Sequence, residues 1–319
     1  MREQLQSDFD KTVKTAEISQ EEILIKKDFL NKFIESGFPN KKQEDWKFLD
    51  ISQIIKKDIS NLSFFNDYSQ SNKIDPSIYI DSLDHNKIVF TNGRIEKIDF
   101  SHEDQNKIEI IDDTKKNTSF DNKNPLIDLN SALIHKVFKI LIKKDYSLKK
   151  PLIIYHSTNE KITSTNINLR LDFELGEKSC LKLIDYFANN RTKNFLNIFY
   201  NFHLEKDSIL KNYKIDKFKN DDLKYSFNNI EQGNNSVSET FILSAGSNYF
   251  KNEINCNLNG EYSSAFINGI FSLKENQQHE IRSTVNHLVE NTKSYQLIKS
   301  VLGKNSKSAY QGRIFVNSK

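Results

Sequence analysis

The sequence predicts a mainly β protein, with a helical N-terminal part followed by a body of stacked β units. Three features point there. From Pro151 onward the chain is a series of short strand-like runs divided by polar and Gly turns, and the helical period disappears. Asn166–Leu175 alternates without a break, so Ile167, Leu169, Leu171, Phe173 and Leu175 share one face. Ile198, Tyr200, Phe202 and Leu204 repeat the habit, with Phe199 as an exception, and so do Ile254, Cys256 and Leu258. Such alternation demands one wet and one buried face. The third feature is a weak internal repeat. The segment Phe173–Lys182 aligns without a gap on Phe202–Lys211, matching Leu175 with Leu204, Ser179 with Ser208 and Leu181 with Leu210. A repeat built of strands means a β-helix, a propeller or a tandem sandwich. A β-helix fits best, because each coil has one inward face and stacked coils pair their strands along the axis.

The remaining elements follow in chain order. Gln20–Ser36 reads as a helix: Ser19 and Glu22 form a capping box, Ile25, Phe29, Leu30, Phe33 and Ile34 make one stripe, and Gly37 and Pro39 end it. Pro39–Asp50 holds the only Trp, Trp46, as a hydrophobic anchor in a polar segment. Asp50–Lys57 is a second short helix. Asn61–Asn86 has no firm periodicity. Ile88–Phe100 is a hairpin about Asn92-Gly93, a dipeptide suited to turn positions of positive φ. Ser101–Asn124 is polar and reads as a linker. Leu126–Lys136 is a helix and Val137–Lys143 a strand. The chain thus divides into 1–124, helical and mixed, and 125–319, the β-helix core.

Composition excludes several classes. The 319 residues carry 46 basic and 43 acidic side chains, a net charge of +3, and the basic runs Lys41-Lys42, Lys56-Lys57, Lys143-Lys144 and Lys149-Lys150 are short. A nucleic-acid binder would gather a larger, Arg-rich excess on one face, so these lysines read as solvated. No apolar run reaches the roughly 18 residues of a membrane span, and Met1–Asp10 lacks the apolar stretch of a secretory signal. Cytoplasmic localisation is therefore expected, with neither nucleic acid nor membrane as partner. Cys180 and Cys256 cannot make a disulfide framework and read as small buried hydrophobes. The seven His show no zinc-helix spacing; His279-Glu280 and Asn286-His287 read as surface or turn positions. There is no phosphate-binding loop, dinucleotide fingerprint or nucleophile elbow. The residues alone show no catalytic centre.

Several segments resemble the SufB/SufD family of iron–sulfur cluster assembly scaffolds. Gly37-Phe-Pro-Asn-Lys-Lys-Gln-Glu-Asp-Trp-Lys-Phe-Leu-Asp50 is similar to that family's Gly-x-Pro and Glu-Asp-Trp-Lys motif, which favours the SufD branch. Leu129-Asn-Ser-Ala-Leu133 with Val137-Phe138 resembles the start of its core, and Asn252–Ile254 through Leu258–Glu261 a core strand pair. The most specific run is Asn286-His287, Thr292-Lys-Ser-Tyr-Gln296, Lys299-Ser-Val-Leu302 and Tyr310-Gln-Gly-Arg-Ile-Phe-Val316. Glu290-Asn291 stands where the family often has Pro-His, and Lys143-Lys144-Asp145 replaces a Pro-Lys-Gly turn. The resemblance implies a right-handed parallel β-helix, the SufBD core, flanked by helical regions. It implies a non-enzymatic scaffold that helps in iron acquisition and cluster building with a SufB-like protomer and a SufC-like ATPase, which binds the ATP. Family members continue with further strands, a Cys-x-His-Gly segment and C-terminal helices that dock SufC. These are expected to be missing from 1–319, so the open end is expected to expose apolar residues. No catalytic, cofactor-binding or metal residue of the family can be placed on this chain, and no cofactor is expected on it. The competing readings are a β-helix carbohydrate-active enzyme, disfavoured by scattered acids, and a generic β-solenoid adaptor.

Overall fold

The alternating runs form the walls of a two-sheet parallel β-solenoid. The computed structural model describes residues 2–16, 18–67, 74, 76–112, 124–159, 161–188, 193–217 and 220–317. Sheet I runs β2 (Arg94–Asp99), β1 (Asn86–Thr91), β5 (Leu152–Ser157), β7 (Cys180–Phe187), β9 (Ile209–Asp216), β11 (Val237–Ser244), β13 (Ser264–Leu273) and β15 (Lys293–Leu302). Sheet II runs β3 (Ile108–Asp112), β4 (Val137–Ile142), β6 (Asn166–Leu175), β8 (Phe195–Leu204), β10 (Asn220–Gln232), β12 (Ser247–Leu258), β14 (Gln278–His287) and β16 (Lys307–Val316). The hairpin pair β1–β2 and the pair β3–β4 are antiparallel; every other pairing is parallel. The β-helix is thereby selected over propeller and sandwich, because successive strands of one sheet come from successive coils.

The internal repeat is the stacking register itself. Phe173 pairs with Phe202 and Leu175 with Leu204, while Leu181 pairs with Leu210 and Lys182 with Lys211. The Phe173 and Phe202 rings stack at 4.9 Å. Ser208 of the repeat and its equivalents in the next two coils close the turns between sheets II and I. Ser208, Ser236 and Ser263 donate their hydroxyls to the carbonyls of Glu205, Gly233 and Gly260 at 2.6, 2.8 and 2.7 Å. The residue before each serine, Lys178, Asp207, Asn235 or Tyr262, has φ near +60°. Its N–H is turned along the axis, so Lys178 donates to Lys206 O, Asp207 to Asn234 O and Asn235 to Glu261 O, each at 2.9 Å. Gly260 is required by close approach, since a Cβ there would lie 2.1 Å from the Asn234 nitrogen.

Four helices cover part of the outer face of sheet II: α1 (Arg2–Thr15), α2 (Gln20–Ser36), α3 (Ile51–Asp58) and α4 (Pro125–Leu133). The capping box of α2 forms as read from Ser19 and Glu22. Helix α4 is fastened by asparagines: Asn130 Nδ2 donates to Asn197 O at 2.8 Å, and Asn197 Nδ2 to Leu126 O at 2.8 Å. The helices bury Phe195, Phe199, Leu223, Tyr225 and Phe227 on the outer side of β8 and β10. This explains Phe199: its outward face meets helices instead of water.

Two sequence readings are corrected. The Ser101–Asn124 linker contains β3, which pairs with β4; residues 113–123 lie outside the described residues. Helix α1 had not been read from Met1–Asp10. It forms because Leu5 and Phe9 pack into the helical core and Asp8 accepts the Phe64 N–H at 3.0 Å. The sheets also cross the division drawn at residue 124, since β1–β3 join both sheets and α4 packs with α2. In the last coil Leu302, Ile314 and Val316 are exposed.

Candidate functional site

Charged side chains occupy inward positions of the solenoid. Asp185 on β7 follows the inward parity of Leu181 and Leu183, and Lys214 on β9 is its register partner. Asp185 accepts from Lys214 Nζ at 2.6 Å, His156 Nε2 at 2.5 Å and the Tyr200 hydroxyl at 2.6 Å. Burial alone would raise the Asp185 pKa, but Lys214 and His156 hold it well below the usual carboxylate range. One coil further, Lys224 Nζ meets Asp216 at 2.7 Å, and Asp216 also accepts the Ser247 hydroxyl at 2.6 Å. His279 Nε2–H donates to the Ser247 carbonyl at 2.6 Å, and its Nδ1 accepts from Ser244 at 2.7 Å. Burial pushes His279 down to about 4, so it is a neutral ring joining β14 of sheet II to β11 of sheet I.

A second cluster lies on the outer side of β12, β14 and β16. Lys251 Nζ, fully buried, bonds Glu280 at 2.5 Å and reaches Glu253 at 3.5 Å. Burial raises both carboxyl groups, with Lys251 opposing. The Glu-Asp-Trp segment caps this cluster. Asp45 pairs with Arg282 at 2.6 Å and with Arg313 at 3.2 Å, while Glu44 meets Arg313 at 2.7 Å. The Asp45 carbonyl accepts from Lys251 at 2.7 Å, and the Trp46 ring lies 5.4 Å from Tyr225. Trp46 is thus the anchor its setting suggested.

His279 and Glu280, read as surface positions, are both buried, because they fall inside a strand whose two faces are each covered. His287 is half-buried and contacts the hydroxyls of Thr292 at 2.7 Å and Ser294 at 2.9 Å. Cys256 is buried inside the solenoid, its thiol pushed up to about 12 by burial. Cys180 is corrected: it points outward on β7 and is only half-buried. Sequence reading missed Asp185, Lys214, Asp216, Lys224 and Lys251. Only Asp185 carried a signal, a charge standing at the parity of Leu181, Leu183 and Phe187; Lys214, Asp216 and Lys224 alternate with the apolar residues of their own strands, and Lys251 lies on the outer side of β12.

These clusters are networks of ion pairs, suited to fixing coil register and holding the N-terminal segment. No group of three or more metal-ligating side chains forms among the described residues, and none of their helices is long and apolar enough to cross a membrane. A separate cavity of about 420 Å³ lies where α1, the β1–β2 turn and the α4–β4 junction meet, lined by Thr15, Arg94, His135, Lys136 and Asn168 among others.

Residues 156–319 match the family described as SUF system FeS cluster assembly, SufBD core domain. The chain is 22% identical over 301 residues to the iron–sulfur cluster assembly protein SufD of Escherichia coli (strain K12), covering 90% of this chain and 68% of that protein. Together with the parallel solenoid, these matches establish that the chain belongs to the SufBD core family of the SUF iron–sulfur cluster assembly system, and within it is most like SufD.

Proposed function

We propose that the chain is a non-catalytic, SufD-like scaffold that binds a SufB-like protomer and supports iron acquisition and cluster building beside a SufC-like ATPase. The main support is the meeting of two resembling motifs: Asp45 of the Glu-Asp-Trp segment pairs with Arg313 of the Tyr310–Val316 run, across 268 positions of sequence. Co-expression of the tagged chain with SufB and SufC of the same genome should retain SufB through affinity and size-exclusion steps. Elution of the chain without SufB would overturn the proposal.

On the same reading the chain alone holds no stoichiometric cluster. Cluster ligation takes thiolates, generally about four. Here burial raises both thiols, one on an inward and one on an outward face. Anaerobic reconstitution with iron and sulfide should leave no cluster absorbance; one cluster per chain, lost on Cys256→Ser or Cys180→Ser, would refute this.

A further inference from the structure

The outer face of sheet I changes character along the axis. Over β5 and β7 it is covered by the chain's own segment at Ile78–Ile80, which packs with Tyr155 and Tyr186. That segment combines aliphatic and aromatic side chains with following acids. Tyr79 lies edge-on to Tyr155 at 5.3 Å, Tyr155 accepts the Ile80 N–H at 3.1 Å, and Asp84 pairs with Lys150 at 3.3 Å.

The apolar rows under this strap do not stop where the strap does. Tyr186 is followed in register by Ile215, Leu243 and Ile270, and the row ends at Lys299. The neighbouring row runs Ile184, Tyr213, Phe241, Asn268 and Leu297. Tyr213, Tyr295 and Leu297 are 38%, 54% and 42% exposed. The smaller Asn268 leaves a notch in the second row, part of a cleft of about 350 Å³ lined by Tyr213, Glu239, Phe241 and Phe266. Among the described outward strand positions from β9 to β15 the charges are unequal: Lys211, Lys293 and Lys299 stand against Glu239 alone, which pairs with Lys211 at 3.3 Å. Strand spacing and rise give the open area from β9 to β15 as roughly 400 Å². That is the size at which apolar patches mark interaction sites, and about half of one side of a standard interface.

We propose that this face, from β9 to β15, docks a segment of a partner protein in which aliphatic and aromatic side chains are flanked by carboxylates. The internal strap shows how such a segment sits on such a face. The continuing rows supply the apolar seat, the notch at Asn268 takes one anchoring side chain, and the lysine excess selects acidic flanks.

The probe is a synthetic peptide of residues 74–84, Ile-Asp-Pro-Ser-Ile-Tyr-Ile-Asp-Ser-Leu-Asp, titrated against the full chain with hydrogen exchange read in parallel. The expected result is saturable binding by about 1 mM peptide, the weak end of specific affinity. It should protect 237–244 and 264–273, weaken with salt, and fall at least tenfold in Phe241→Glu. The exposed-rim variant Lys299→Glu, which leaves the core untouched, should weaken it severalfold. Protection confined to 152–157 and 180–187, meaning exchange with the native strap, would overturn the proposal. So would no binding, or binding unchanged in both variants. A concentration-dependent dimer abolished by Phe241→Glu would assign the face to a second copy and also overturn it.

Discussion

The two outward faces of the solenoid solve the same problem in opposite ways. On sheet II, helices bury Phe195, Phe199 and Tyr225, and beyond them an asparagine ladder saturates itself. Asn229 Nδ2 donates to Asn201 at 3.1 Å, Asn255 to Asn229 at 2.9 Å and Asn286 to Asn255 at 3.2 Å. On sheet I the corresponding rows are Tyr213, Phe241 and Leu297, with Ile215, Leu243 and Ile270 beside them; Ile215 packs at the edge of the strap cluster, and the others are half-buried or exposed. The interior and the turns are shared, so the difference does not arise from coil architecture. It arises from what stands at outward parity: amides that pair with their own copies, or apolar groups that need a cover. A face that satisfies itself stabilises the chain, whereas one that does not is available to another molecule.

The largest test removes the cover of sheet II. Trp46→Ala deletes the anchor between the N-terminal segment and β10, and large-to-Ala core changes cost about 3–5 kcal/mol. Urea melts should show a loss of that order, with exchange quickened in α2, α3 and β10 but not in β9 or β11. A loss below about 1 kcal/mol would mean that the helices hold sheet II without this anchor.

Acid tests the interior that both faces share. His279 has a folded pKa near 4 against about 6.5 when unfolded, so below 6.5 the unfolded chain takes up the proton and the fold does not. The contribution of His279 to stability should therefore fall as pH drops from about 6.5 to 4, by on the order of 3 kcal/mol at full titration, while the raised carboxyl groups of Asp128, Glu253 and Glu280 act in the opposite direction. Asp185, also depressed, adds a loss at still lower pH, because its stabilisation is present above the unfolded carboxylate range and disappears below it. His279→Gln should flatten the upper part of the profile relative to the parent chain; identical profiles of parent and variant between pH 7 and 4 would contradict the bridging role.

The smallest effects compare single outward residues. Asn229→Ala breaks the ladder and should cost about 1 kcal/mol, the typical net value of a hydrogen bond. Tyr213→Ser, on the open face, should stay within about 0.5 kcal/mol, as surface changes do. Equal losses at the two sites would erase the distinction between the faces.

Much of the fold was legible because period and punctuation are local. The alternation of Asn166–Leu175, the capping box at Ser19, the turn at Asn92-Gly93 and the Phe173/Phe202 repeat each act over a few residues, and each appears in the structure as read. Strand β3 was hidden because a short polar strand pairing with a distant β4 has no local period of its own. Helix α1 was hidden because its apolar positions are few and gain meaning only against α4 and Phe64. The charge clusters were hidden for a related reason: Lys214 and Lys251 are indistinguishable from solvated lysines until their acids are brought beside them.

The sequence by itself determined the class of fold, the inward apolar rows of strands such as Asn166–Leu175 and the family, because alternation, turn chemistry and motif spacing are written along the chain. Only the tertiary structure decided which outward face is closed and which open, and which charges are buried. Those depend on register between coils and on helices arriving from far along the sequence. Asp45 reaches Arg313, and Asp185 reaches Lys214, only once the coils are stacked.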